Sequence, residues 1–240
     1  MRNKNIHILS TRPVNVALIN EAATKGIQVN TISFIDTVAI DTAEVKKTID
    51  EVAAQPSTII FTSMNAVDAV VHQLNNKPSW KIFCMGNTTR QLVEKYFGND
   101  NILATGSNAT ELAKEIIKWE KIQLDKMPVV FFCGDQRRDE LPGKLLEQGI
   151  EMEEIITYNT IQTTHAITDA YNGILFFSPS AVHSFFKTNK AATETVFFAI
   201  GETTANTISS YTNNKIVISY TPAKDELLRQ AVDWFNAVES

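Results

Sequence analysis

Long apolar runs are missing from this chain. Its purely apolar stretches reach four to five residues, as in "ILFF" (174–177) and "VFFAI" (196–200), whereas a helix that crosses a bilayer needs about 20. The start, "MRNKNIHILS", is basic but lacks the apolar stretch of a signal peptide, so export is not expected; its rhythm suits a first β-strand. Cysteine is scarce. Cys84 and Cys133 both sit in apolar, strand-like runs, and a chain of this length needs no disulfide, so both read as reduced thiols of a cytoplasmic protein. An excess of positive charge is also missing. The net charge of −5 argues against a general nucleic-acid binder, though not against an anionic ligand, because helix N-termini hold anions through backbone N–H groups. Neither G-x-G-x-x-G nor G-x-x-x-x-G-K-[ST] occurs, which removes the signatures of dinucleotide and P-loop binding. His7, His72, His165 and His183 fall into no H-x-x-x-H or H-E-x-x-H spacing and no C-x-x-C is present, so no metal is expected. A G-x-S-x-G elbow is absent too.

What the chain does have is a repeat. At an offset of 115, "IIFTSMNAV" (59–67) overlies "ILFFSPSAV" (174–182), and "FCMGNTTRQL" (83–92) overlies "FAIGETTANT" (198–207). The same offset sets Glu111-Leu112 on Glu226-Leu227. The unit left over in the middle, 129–160, finds its counterpart at the other end at an offset of 123: Gly149-Ile150 meets Gly26-Ile27 and Thr160 meets Thr37. One copy therefore occupies 38–157, and the other is divided between 1–35 and 162–240. The chain begins one domain, makes a second whole domain, and returns. Its crossings near 34–39 ("ISFIDTVAI" region) and 157–163 ("IITYNTIQT" region) are rich in β-branched and aromatic residues and read as extended. Running in opposite directions, they are expected to pair as a two-stranded antiparallel β-ladder that acts as a hinge.

Each repeat unit follows one order. A short apolar run reads as a strand buried on both faces. A Ser, Thr or Gly cluster follows, as a turn and helix N-cap. Then apolar residues recur at helical spacing, such as Val67, Val70, Val71 and Leu74. Pro222 suits a helix's first turn. Strands alternating with helices predict α/β architecture: two similar doubly wound parallel-sheet domains of roughly five strands each. Ligands of such sheets sit beyond the carboxyl ends of the strands. There the sequence puts Ser63, Thr88-Thr89, Ser178-Pro179-Ser180 and Thr203-Thr204. Plain N-capping explains any one of these. Several at the same edge of two sheets predict a cleft of anion-binding helix starts, suited to a ligand with several carboxylates.

Four motifs in order, C-G-x-x-x-R-x-x-L-P (133–142), T-Y-x-T (157–160), F-F-S-P-S (176–180) and I-G-x-T-T-A (200–205), make the chain resemble the uroporphyrinogen-III synthase family over essentially its whole length. The resemblance implies two flavodoxin-like domains on a two-stranded hinge and a cofactor-free lyase of tetrapyrrole (heme) biosynthesis. Its small-molecule substrate would be hydroxymethylbilane, a linear tetrapyrrole rich in carboxylates. The bilane loses its terminal hydroxyl to give an azafulvene; ring D attacks through its already substituted carbon, forms a spiro intermediate, and recloses inverted as uroporphyrinogen III. By the same resemblance Tyr158 is the catalytic residue, donating a hydrogen bond to the departing hydroxyl. Ser63, Thr89, Ser178, Ser180, Thr203 and Thr204 bind carboxylates, Arg138 holds one or pairs locally, and Arg12 sits at the matching edge of the split domain. A cytoplasmic monomer without nucleic-acid or membrane partners is implied, with transfer of the bilane from the preceding pathway enzyme left open. Met64-Asn65 departs from the Pro-Arg expected after "FTS", so firmer substrate contacts are expected on the split domain's side. The competing class is a non-catalytic, two-lobed binder or sensor of a polycarboxylate, which the repeat and hinge fit equally well.

Overall fold

The structure is a computed structural model that describes residues 5–124, 126–221 and 223–238; Pro222 lies outside the described residues. The elements follow in chain order as β1 (Ile6–Ser10), α1 (Val16–Thr24), β2 (Ile27–Thr31), β3 (Ile35–Ala39), α2 (Ala43–Ala53), β4 (Ser57–Phe61), α3 (Met64–Val71), β5 (Trp80–Met85), α4 (Thr88–Phe97) and β6 (Ile102–Gly106). They continue as α5 (Ala109–Glu120), β7 (Val129–Gly134), α6 (Glu140–Leu146), β8 (Glu153–Gln162), β9 (Gly173–Phe176), α7 (Pro179–Thr188), β10 (Val196–Ala199), α8 (Glu202–Ser209), β11 (Ile216–Ile218) and α9 (Lys224–Val238). Strand and helix alternate except where β3 follows β2 and β9 follows β8, and the chain divides into two compact units. Unit one runs to Asp36 and resumes at Ile161; unit two is Thr37–Thr160.

Unit one holds a five-stranded sheet in the order β11-β10-β9-β1-β2, parallel at every pairing. Its central strands are buried along their whole length, and alternate residues supply two cores, as the two-residue period requires. Leu175 and Phe198 pack with Leu18, Leu228 and Val232 of α1 and α9. Ile174, Phe176 and Phe197 pack with Val182, Phe185 and Ile208 of α7 and α8. Each such fully buried side chain contributes roughly 1.5–3 kcal/mol.

Unit two's strands belong to a six-stranded sheet, β3-β8-β7-β4-β5-β6. β8, β7, β4, β5 and β6 pair in parallel. Ile59, Phe61, Ile82 and Phe132 face α2, α3 and α4, while Ile60, Phe83 and Phe131 face α5 and α6. β3 is the neighbour of β8. The Ile40 N–H donates to the Thr157 carbonyl at 2.8 Å and the Thr163 N–H to the Phe34 carbonyl at 3.0 Å, so partner numbers fall along one strand as they rise along the other, which is antiparallel pairing.

The repeat is visible in the elements. Shifted by 115, the bounds of α3 land on 179–186, inside α7, and those of β5 land on 195–200, over β10. Shifted back by 123, β7 lands on 6–11, over β1. Both units then have the same spatial strand order, β2-β1-β9-β10-β11 and β8-β7-β4-β5-β6, the second with its last two strands serving as the first two. One sequence correspondence needs correction. Gly26 and Gly149 both adopt positive φ, +75° and +70°, a conformation that favours glycine, and they end the matching helices. Beyond them the ladders pair His7 with Gln28 and Val130 with Glu153. Gln28 therefore corresponds to Glu153, two residues later than an offset of 123 allows. Unit two has a longer connection there, and Thr160 is not the counterpart of Thr37.

Candidate active site

In doubly wound sheets the ligand crevice lies where the strand order reverses. In unit two that point falls between β7 and β4, and Tyr158 occupies it. The β7–β8 register slips between Cys133 and Gly134, so that Cys133 pairs with Ile156 and Gly134 with Tyr158. This bulge has a consequence for direction. Ile155 and Tyr158, three residues apart, pack on the same core, which an unbroken strand with period two cannot arrange. Tyr158 then lies over Gly134. A Cβ on Gly134 would come within 2.5 Å of the ring's Cε2 and 2.7 Å of the phenol oxygen, so only glycine fits beneath it. Asp135 holds the backbone on both sides: its N–H donates to the Tyr158 carbonyl at 3.1 Å, and its Oδ1 accepts from the Thr160 N–H at 2.8 Å. The phenol oxygen accepts a hydrogen bond from Ser63 Oγ at 3.1 Å. Two residues singled out in the sequence, Tyr158 and Ser63, are thus brought into direct contact. Gly134 and Asp135 are not among the site residues the sequence singles out; the signals for Gly134 are its place in the C-G-x-x-x-R-x-x-L-P motif and its standing where Thr11 stands in the other copy.

The four helix starts prove to be of two kinds. Ser63 caps α3 by accepting from the Ala66 N–H at 3.2 Å, and Ser178 caps α7 by accepting from the Ala181 N–H, also at 3.2 Å. Both use the capping geometry that occupies one of the helix's free N–H groups. α4 and α8 follow Asn87 and Gly201 and have no side-chain cap, so their first N–H groups keep their capacity for an anion. Thr89 and Thr204 are buried in the first turns of these two helices, while Thr203 is exposed. Ser180 lies half-buried in the first turn of α7.

Among the cations, Arg137 and Arg138 behave differently. Arg137 is paired with Asp139 and Glu154, which raises its pKa through those hydrogen bonds. Arg138 is exposed on the β7–α6 connection and forms no hydrogen bond or ion pair with the described residues, so local pairing is the property of its neighbour. Arg12 is exposed just after β1. Its charge acts on Lys224, the first residue of α9, whose ammonium is held below its ordinary pKa by desolvation first and by Arg12 second. A lysine at a helix start opposes the macrodipole, and that was the sole sequence signal for it.

Cys84 and Cys133 are buried and unpaired. Burial pushes each thiol up to about 11, so both are protonated packing groups at neutral pH. Among the described residues no group of three or more His, Cys, Asp or Glu side chains could hold a metal, and no helix is long and apolar enough to cross a membrane. A cavity between α1 and α9, bordered by Leu18, Ala22, Leu228 and Val232, contains none of the residues singled out above.

Comparison with known proteins bears on the family and the fold. The family model for uroporphyrinogen-III synthase HemD matches residues 16–229. Among solved structures, the chain is similar to uroporphyrinogen-III synthetase from Helicobacter pylori, with 16% identity and a TM-score of 0.65 over 95% of this chain and 99% of that one. It is also similar to a mutant uroporphyrinogen III synthase from Thermus thermophilus, with 12% identity and a TM-score of 0.58 over 98% and 99% of the two chains. At such identities the likeness bears on the fold, an α/β arrangement of parallel sheets and helices.

Proposed function

Because the chain belongs to the uroporphyrinogen-III synthase family, we propose that it closes hydroxymethylbilane to uroporphyrinogen III with Tyr158 as the proton donor and its uncapped helix starts as carboxylate binders. The observation that carries the mechanism is Tyr158 itself, set over Gly134 where unit two's strand order reverses. The carbon–oxygen bond of the hydroxymethyl group breaks with both electrons on oxygen. The phenol hydrogen accompanies that oxygen, which leaves as water, and the lone pair of the adjacent pyrrole nitrogen fills in at carbon. Loss of the pyrrole N–H proton to the phenolate restores Tyr158 and leaves the azafulvene. One such positioned proton donor contributes ~10²–10⁴-fold at most. The larger task is orientation: a flexible chain must be held so that ring D attacks at its crowded carbon.

Thr89 and Thr204, buried beside uncapped N–H groups, are the best supported carboxylate contacts. Thr203, Ser178, Ser180, Arg12 and the exposed Arg138 join them in this reading. The two units serve as the domains 38–157 and 1–35 with 162–240, the β3–β8 ladder serves as their hinge, and a cytoplasmic monomer that receives the bilane from the preceding pathway enzyme completes the proposal.

The test is direct. Purified protein is given hydroxymethylbilane, the product is oxidised, and the uroporphyrin isomers are separated. Isomer III is expected. Isomer I alone, which the bilane forms unaided, would overturn the reading, and binding without turnover would favour the sensor class.

A further inference from the structure

We infer that Ser63 is not a carboxylate ligand but a positioning residue for Tyr158, and that the inserted unit alone carries this device; the inference rests on Tyr158 acting as the proton donor. A serine hydroxyl has one hydrogen and two acceptor sites. One acceptor site of Ser63 is taken by the Ala66 N–H at 3.2 Å, and its hydrogen goes to the Tyr158 phenol oxygen at 3.1 Å. No hydrogen is left for a substrate carboxylate. The phenol oxygen, having accepted from Ser63, presents its own hydrogen away from α3. The result is a directed chain, from the Ala66 N–H to Ser63 to Tyr158, that ends on one free phenol hydrogen. Each link polarises the next, and the chain starts at the positive end of a helix, so it favours proton donation by the phenol.

Capping alone does not explain the arrangement. Ser178 caps α7 with the same bond at the same distance, yet the residue matching Gly134 in unit one is Thr11. Its Oγ1 and N–H both donate to the Leu175 carbonyl, at 2.7 and 3.1 Å, so a threonine bonded to the neighbouring strand stands where unit two has the glycine beneath a tyrosine ring. The same cap serves two units, and in one of them the cap's hydrogen orients a tyrosine.

The experiment is a double-mutant cycle read in kcat, KM and isomer ratio, with thermal unfolding of each variant. Ser63→Ala is expected to lower kcat by ~10-fold with KM little changed, as expected when an interaction made chiefly in the transition state is lost. Ser63→Thr, which keeps both the cap and the donor, stays within ~3-fold of wild type. In a Tyr158→Phe background, Ser63→Ala costs nothing further, because the group it orients is gone. Ser63→Gly supplies a second variant with an acceptable cap and no hydroxyl, and it should match Ser63→Ala in kcat. A KM increase that persists in the Tyr158→Phe background would return Ser63 to carboxylate binding. Additive losses in kcat, or a lowered unfolding temperature with unchanged kcat, would also overturn the inference. Wild-type protein that makes only isomer I would instead strike at the function, before any variant is compared.

Discussion

The two units share a strand order and a set of helix starts, and they differ where their strand orders reverse. In unit one, Thr11 bridges to Leu175 across β1 and β9. In unit two, glycine takes that position and the ring of Tyr158 lies over it. A second exchange occurs at the opposite, amino edge. Thr58 of unit two bonds to the buried Glu120 at 3.5 Å; an offset of 115 puts Gly173 and Phe235 in those places, where a Cβ on Gly173 would come within 2.8 Å of the phenylalanine ring. Each unit sets a small residue under a large ring, but at opposite edges of the sheet. In unit one the ring completes the core. In unit two it stands at the carboxyl edge, where chemistry is expected. A duplicated fold thus keeps its scaffold and sets its glycine-under-ring contact at a different edge in each copy.

This contrast can be broken most severely at Gly134. Gly134→Ala forces a methyl group into the Tyr158 ring, and turnover should fall by as much as ~100-fold, the most that removing the donor itself is expected to cost, if the ring's position sets the proton donor. The matching change in the other unit, Thr11→Ala, should leave kcat near wild type and cost about 1 kcal/mol of stability through one lost hydrogen bond. Equal effects on kcat would mean that the two reversal points are not functionally distinct. Comparable at its upper limit, Tyr158→Phe should slow turnover ~10–100-fold, no more than the low end of what one positioned donor contributes. A folded but wholly inactive variant would give the phenol a greater role than proton donation, and unchanged turnover would leave it as a packing group. Smaller effects are expected at the uncapped helices. Thr204→Val and Thr89→Val should each raise KM by ~3–10-fold, the range of one lost hydrogen bond, with the larger rise at Thr204 because Met64-Asn65 stands at the inserted unit's edge in place of the expected Pro-Arg. A larger rise for Thr89→Val would reverse that ranking.

The smallest effect concerns the amino edge. Desolvation holds the Glu120 carboxyl above its ordinary pKa, opposed in part by Thr58. The folded state therefore binds this proton more tightly than the unfolded one, and its stability falls as pH rises through the carboxylate range. Glu120→Gln should melt a few degrees higher than wild type at neutral pH, with the gap closing at acid pH below the ordinary carboxylate pKa. A gap independent of pH would place its origin in packing.

Much of the scaffold could be read in advance because its signals are local. Runs such as "VVFFC" and "ILFF" are buried on both faces, and Ser63 and Ser178 cap helices as their positions suggest. The candidate site was less legible. Capping and anion binding use the same residue type, so the sequence offers Ser63 as a ligand, and its bond to Tyr158 is what supports the positioning role inferred above. Arg137 and Arg138 are adjacent and chemically alike; their difference comes from Asp139 nearby and Glu154 on β8, both of which pair with Arg137.

By itself, the amino-acid order determined the α/β alternation, the duplication and its split, and the identity of the groups at the carboxyl edges. These follow from periodicity, capping and repeat spacing, which act over a few residues or by direct comparison of segments. Tertiary structure alone decided that a slip between Cys133 and Gly134 turns Tyr158 onto the same face as Ile155, and that Ser63's single hydrogen goes to a phenol 95 residues away. The register of a ladder and the direction of a hydrogen bond belong to pairs of residues, and the partners meet only when the sheet has formed.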